Sequence, residues 1–222
     1  MPKVTEDYIE NKKKAIIDAA YEVCRSKPLT SVEMKDIIEK TGFSHGVIYR
    51  YYQNLDEVLL DILLRINQSN NLNERFLRLT HEEEEWKAVI RQTCKMLSDM
   101  IVSAGTDTLK IAAYADTFAV SDPERVLKIS ERLNKKAINP IISLEALMNE
   151  YLKEIIEKES LQPTLSLDNI MQFMSASARG IQTDYLLSES FGSENYKNRY
   201  NPEDMFSCLA ESLIIMLGGT GK

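Results

Sequence analysis

The chain of 222 residues is poor in the residues that build special sites: three cysteines, two histidines, one tryptophan, eight glycines and six prolines. Cys24, Cys94 and Cys208 lie far apart, and none stands at metal-ligand spacing to another cysteine or to His45 or His81. That pattern argues against a zinc site. A scattered, odd set of thiols suits a reducing compartment better than secretion. The longest aliphatic run, Leu213 to Leu217, is far below the ~20 residues of a bilayer span. The charged stretch from Lys3 to Lys14 holds no apolar signal core. A cytoplasmic protein with no membrane partner is expected. Scarce glycine and proline also exclude fibrous and low-complexity classes, and 44% hydrophobic with 27% charged residues describe a globular chain. Its length permits a sizeable core without disulfide or metal staples. Catalytic signatures are missing too: no paired carboxylates, no Ser/His/Asp pattern and no phosphate-binding glycine loop stand out. Neither enzyme activity, nor a cofactor, nor a metal is expected.

Charge is also short on one side. Against 27 Lys and Arg stand 34 Asp and Glu, a net charge of −7. Taken alone this argues against a nucleic-acid partner. The distribution is uneven, however. Residues 1–55 carry nine basic and eight acidic groups, so the deficit belongs to the remainder. Such asymmetry suggests different partners for the two ends.

What is present reads as helix almost throughout. Ala15, Ile16, Ala19, Ala20, Val23 and Cys24 recur at helical spacing, and this first helix should stop near Lys27, ahead of Pro28. Thr30-x-x-Glu33 reads as a capping box that opens a short second helix with Met34, Ile37 and Ile38 inside. In Thr41-Gly42-Phe43-Ser44, Gly42 can close one helix in the left-handed conformation, and Ser44 can cap the next. One helix stops and another starts within about three residues, the signature of a helix-turn-helix. The third helix, roughly Ser44 to Tyr52, points Ile48 and Tyr52 inward. From Asn54 a fourth helix follows with Leu55, Val58, Leu59, Ile62, Leu63 and Ile66 on one face. Further helices are expected over about 83–104, 107–120, 122–159, 167–189 and 202–218, with Asn139-Pro140 kinking or splitting the third of these. The last two, rich in apolar side chains, could form half of an intermolecular four-helix bundle and so a homodimer.

A helix-turn-helix can be a mere structural corner. The outward face of the third helix favours DNA instead. Gly46 lets the backbone approach closely, although a glycine inside a helix costs about 1 kcal/mol. Tyr49 and Tyr51 bring hydroxyls, Arg50 can reach a guanine edge, and His45 can donate to a base or phosphate.

The run from Met34 to Tyr52, with the preceding Ala19-Ala20 helix and the following Asn54 to Leu59, resembles the DNA-binding core of the TetR family of bacterial transcriptional repressors. The specific resemblance covers about the first 65 residues; beyond them only helix number, helix lengths and the final pair agree. It implies an all-α fold. A helix-turn-helix DNA-binding domain over 1–54 would precede a helical ligand-binding and dimerisation domain over 55–222. It implies that Ser44, His45, Gly46 and Val47 begin the recognition helix, that Tyr49 and Tyr51 hold phosphates, and that Arg50 is a contact. Two features depart from the family pattern. Leu55 stands where many members place a phosphate-binding lysine, and Val32 and Glu33 replace the usual threonines. Lys35, or the cluster Lys12 to Lys14, could supply compensating charge, although such a cluster equally fits a solvated helix start.

The remaining candidates are two-sided. Trp86, Met96, Met100, Tyr114 and Phe118 could line a pocket for an effector, yet the same residues at helical spacing equally fit ordinary core. The acidic run Glu82 to Glu85 fits a helix start facing water. Arg179 and Asp184 could pair across a dimer or face solvent. The expected function is a homodimeric, effector-responsive regulator, a repressor in the first instance. It would bind a palindromic double-stranded DNA operator and be released by a small apolar effector. The alternatives are a helical ligand-binding or interaction protein that has lost DNA binding and, less favoured, an all-α enzyme.

Overall fold

The apolar periodicity of the sequence is realised as ten α-helices in the computed structural model, which describes residues 6–83, 85–136, 143–191 and 200–219. They are α1 (Glu6–Ser26), α2 (Met34–Thr41), α3 (His45–Tyr51), α4 (Leu55–Asn70), α5 (Leu72–Glu82), α6 (Trp86–Ser121), α7 (Pro123–Lys136), α8 (Leu144–Lys158), α9 (Leu167–Phe191) and α10 (Pro202–Met216). No strand occurs among the described residues. The fold is all-α, an N-terminal helix-turn-helix head with a larger helical body. No helix among them is long and apolar enough to cross a membrane.

Three local expectations change. Leu29–Ser31, following Pro28, form a short 3-10 turn, so Thr30 does not cap α2. The box is shifted by three residues. Glu33 is the N-cap of α2, and its own N–H donates to the Asp36 carboxylate at 2.8 Å. The stretch 72–82 forms a helix of its own, α5. The expected pair over 83–104 and 107–120 is one helix, α6, interrupted at Gly105, where φ 72° and ψ 161° turn the path. Asn139-Pro140 lies outside the described residues.

The chain divides into two compact units. The first joins Met1–Asn70 to Lys110–Pro140. Ile16, Ala20, Ile37, Ile48 and Val58 are wholly enclosed there, and Ile111 and Phe118 of α6 and Ile129 of α7 complete the same core. Each fully buried aliphatic side chain contributes roughly 1.5–3 kcal/mol. The three-helix head therefore draws part of its core from residues more than forty positions further along the chain.

The second unit joins Asn71–Leu109 to Ile141–Lys222. Phe76, Leu152, Ile170, Phe206, Leu213 and Ile214 are buried in it, and Phe76 meets Tyr151 edge-on with ring centres 5.9 Å apart. A half-buried ion pair from Arg91 Nε to Glu211 Oε1, 2.6 Å, ties α6 to α10. The segment before α9 is pinned to the end of α10, where Thr164 N–H donates to the Met216 carbonyl at 2.8 Å.

Candidate nucleic-acid interface

The turn between α2 and α3 is built by three consecutive residues. Gly42 adopts φ 67°, and its N–H returns to the Ile38 carbonyl at 3.1 Å, the left-handed stop that a side chain would strain. The Thr41 hydroxyl reinforces it, donating to Ile38 O at 3.0 Å and accepting from Phe43 N–H at 3.1 Å. Ser44 is extended, and its carbonyl opens α3 by accepting from Val47 and Ile48.

Ile48, fully enclosed, and Tyr52, 3% exposed, hold α3 against the head. The Tyr52 hydroxyl donates to Asp61 Oδ2 of α4 at 2.9 Å. Burial first, and the Asp61 carboxylate second, push this phenol far above its ordinary range, so it remains a neutral donor. With Ile48 and Tyr52 facing in, Ser44, His45, Gly46, Tyr49 and Arg50 are exposed together. The His45 and Tyr49 rings stack one turn apart, centres 6.4 Å and planes 16° apart. Val47 is half-buried, and Tyr51, also half-buried, packs against the head core.

Charge around this face is largely spoken for. Lys35 is exposed but pairs with Glu33 at 2.9 Å, and that hydrogen bond raises its pKa. Lys27 pairs with Asp36 at 2.7 Å, and this bond holds the Asp36 carboxyl below the ordinary carboxylate range. Lys12 lies 4.1 Å above the Phe43 ring, beside the turn. At the start of α4, Leu55 is half-buried against the head core rather than presented to solvent. Asn54 and Glu57 cap that helix: Asn54 Oδ1 accepts from Glu57 N–H, and the Glu57 carboxylate accepts from Gln53 N–H. Asp56 is engaged by Arg125 of α7, a pair that sequence spacing does not reveal.

The effector candidates separate. Trp86, Met96 and Met100 belong to the second unit, where Trp86 is buried and the two methionines are half-buried. Tyr114 and Phe118 belong to the first, Phe118 within its core and Tyr114 packed against it. None of the five lines the apolar cavity found in the second unit. That chamber, about 120 Å³, is walled by Cys94 and Leu97 of α6, Leu144, Glu145 and Met148 of α8, Met171, Met174, Ser175 and Ala178 of α9, and Leu209 of α10. Burial raises the Cys94 thiol to about 12, so it stays protonated and serves as apolar wall. A second, polar depression of about 360 Å³ shares Glu145 and Met171 with the chamber and adds Ser143, Ala146, Asn149, Asp168 and Gln172. The clue available in sequence was the methionine content of α8 and α9, whose Met148, Met171 and Met174 all reach the chamber.

The second unit also carries an exposed apolar stripe on each of its last two helices. On α9 it runs through Phe173, Ala176, Gly180, Thr183 and Leu187; on α10, through Met205, Cys208, Ser212 and Ile215. Phe173 and Ile215 are 52% and 54% exposed. Arg179 and Asp184 are exposed as well, and Asp184 accepts a hydrogen bond from the Tyr200 hydroxyl at 2.7 Å. No group of three or more possible metal ligands occurs among the described residues.

Residues 16–62 match the model of bacterial regulatory proteins of the tetR family. Over 62 residues the chain is 34% identical to the uncharacterized HTH-type transcriptional regulator YfiR of Bacillus subtilis (strain 168), a match that covers 28% of this chain and 30% of that protein. The match therefore spans under a third of that relative's length. Among solved structures, the fatty acid degradation regulator FadR from Bacillus halodurans aligns with a TM-score of 0.64 at 18% identity, covering 91% of this chain and 94% of that one. NalD of Pseudomonas aeruginosa, the secondary repressor of the MexAB-OprM multidrug efflux pump, aligns with 0.62 at 17% identity, over 95% and 97%. Thermus thermophilus FadR in complex with lauroyl-CoA aligns with 0.57 at 19% identity, over 91% and 93%. Likenesses this distant establish the fold.

Proposed function

We propose, from the match of residues 16–62 to the bacterial tetR regulatory family, that the chain is a homodimeric, effector-responsive transcriptional repressor that binds a palindromic operator. The observation that carries this reading is the face of α3. Ile48 and Tyr52 lock the helix inward, which leaves Ser44, His45, Gly46, Tyr49 and Arg50 outward in one contiguous surface. A helix placed in the major groove needs that arrangement: a small residue at close approach, flanked by hydroxyl, imidazole and guanidinium donors. Tyr51, half-buried, and Lys35, near the start of α2, would contribute from the edge of the surface.

The exposed stripes of α9 and α10 supply the dimer. Apolar side chains contiguous over two neighbouring helices mark an interaction surface, and a second copy covering them would complete a four-helix bundle. Two heads would then read two half-sites about one helical turn apart.

Effector control follows from where α6 contributes. Cys94 and Leu97 wall the cavity, Ile111 and Phe118 enter the head core, and Gly105 lies between the two pairs. Arg125, stacked 5.1 Å from the Phe118 ring, also binds Asp56 on the helix that follows recognition helix α3. An effector whose affinity differs between DNA-competent and incompetent states shifts the equilibrium by that difference and no more. A regulator with a transcriptional role needs no catalytic constellation.

Gel-shift titration of the full chain against the DNA upstream of its own gene tests the DNA reading. Specific retention that survives excess unrelated duplex supports it, as does its loss in Tyr49→Phe/Arg50→Ala with dimerisation intact. Retention unchanged in that variant would remove α3 from the interface. The Lys35–Glu33 pair and the inward Leu55 favour a second reading, a ligand-binding protein without DNA affinity. Absence of any specific shift would select it.

A further inference from the structure

The walls of the cavity say what kind of molecule it would take. The chamber is almost wholly apolar and small. A cavity of about 150 Å³ accommodates a benzene ring, so about 120 Å³ suits one compact ring or a short alkyl chain. A long acyl chain exceeds it. The adjoining depression is different in kind. Its walls carry two carboxylates, Glu145 and Asp168, and two amides, Asn149 and Gln172. Glu145 borders both spaces, which places a negative charge where the apolar chamber opens.

Two helix N-termini also border this depression, and they weigh in the opposite sense. Ser143 caps α8 by accepting from Ala146 N–H, and Ser166 caps α9 by accepting from Asn169 N–H. Each helix start is worth about half a positive charge. Together they offset about one of the two carboxylates, so the mouth keeps roughly one negative charge. The sign survives the correction. An independent observation agrees with it: Asn149 Oδ1 is buried and accepts no hydrogen bond from the protein. Such an acceptor is costly to leave unpaired and is satisfied by a donor. Two carboxylates and an amide oxygen offer acceptors enough for the three N–H donors of a primary ammonium, whereas a carboxylate or phosphate has no donor to give.

We propose that the cavity between α8 and α9 is the effector site and that its ligand is a small amphiphilic cation, with an ammonium among Glu145, Asp168 and Asn149 and one ring or short chain in the chamber. This rests on the effector-responsive reading above and replaces the small apolar effector expected from the sequence with a charged amphiphile. It also separates this chain from a neighbour bound to an anionic acyl-CoA, whose head group meets the wrong sign here.

Isothermal titration of the full chain, without DNA, compares phenylpropylammonium with phenylpropionate, which share nine carbons and one ring and differ in head charge. The ammonium should bind saturably, and the carboxylate about tenfold more weakly or worse. Glu145→Gln/Asp168→Asn, at two exposed positions, should weaken the ammonium about tenfold and narrow the gap between the two probes. Ala178→Leu, which fills the chamber, should weaken the ammonium as well. Preference for the carboxylate, equal binding of both, or no saturable heat from the ammonium up to about 10 mM would overturn the proposal. So would an ammonium affinity that the charge-neutral variant leaves unchanged. Because the titration contains no DNA, its failure leaves the regulatory reading standing; loss of specific gel retention with intact ammonium binding would remove that reading alone.

Discussion

Arg125 grips Asp56: its Nε and Nη2 donate to the same carboxylate oxygen at 2.7 and 2.6 Å, joining α7 to the first turn of α4. Both side chains are about a third exposed, so solvent screens part of the attraction. A double-mutant cycle with Asp56→Asn and Arg125→Ala should give a coupling of about 0.5–1 kcal/mol in chemical denaturation. Strict additivity would mean that α7 is held by apolar packing such as that of Val126 and Ile129 and gains nothing from the ion pair.

Gly46 separates stability from recognition. A methyl group added there would meet nothing within 4 Å, and alanine is favoured over glycine in a helix by up to about 1 kcal/mol. Gly46→Ala should therefore raise the melting temperature by a few degrees. It should also weaken DNA binding, because the methyl occupies the closest approach of α3 to the groove. An alanine variant that gains stability and keeps full affinity would show that the glycine does not face DNA.

The two apolar stripes predict their own disruption. Ile215→Glu on α10, combined with Phe173→Glu on α9, places two carboxylates on the surface assigned to the partner copy. Light scattering after size exclusion should give half the wild-type mass, with helical circular dichroism retained. An unchanged mass would relocate the dimer surface.

Asp36 gives the head an acid-sensitive element. Its folded carboxyl is held low by Lys27 and by the Glu33 N–H. This stabilisation is complete above the ordinary carboxyl value of about 3.9 and is lost as pH falls through the lower folded value. Asp36→Asn should be less stable than wild type at neutral pH by about 0.5–1 kcal/mol, and the gap should narrow as pH falls below the ordinary carboxyl value. A gap independent of pH would assign the effect to packing.

How much of this was legible in the sequence depended on the distance over which each feature is encoded. The turn Gly42-Phe43-Ser44 and the inward pair Ile48 and Tyr52 are local, and the structure places them as their spacing predicts. The start of α2 was also local: Thr30-x-x-Glu33 scans as a box, but the 3-10 turn after Pro28 moves the cap to Glu33, whose N–H donates to Asp36. Helix α5 was not expected: Leu72, Phe76 and Leu79 stand at helical spacing, but the polar residues between them dilute the signal. Gly105 was legible as a break but not as a turn within a helix. The cavity was out of reach, because Leu97, Met148, Met174 and Leu209 come from four helices and no periodicity states which interior faces leave a gap. The Arg125–Asp56 pair, 69 residues apart, was hidden for the same reason.

The net charge of −7 acquires a physical meaning here. Lys27 and Lys35 are paired within the head, so binding would rely on hydroxyls, ring groups and dimerisation more than on ionic contacts. The most direct measurement is selection of duplexes from a random pool by the full chain, followed by anisotropy titration of the enriched site across salt concentrations. The account predicts enrichment of a palindrome with half-sites about 10 base pairs apart, two chains bound per site, and a salt slope of only a few phosphates. A pool that enriches no sequence, or a steep salt slope with equal affinity for every duplex, would contradict it.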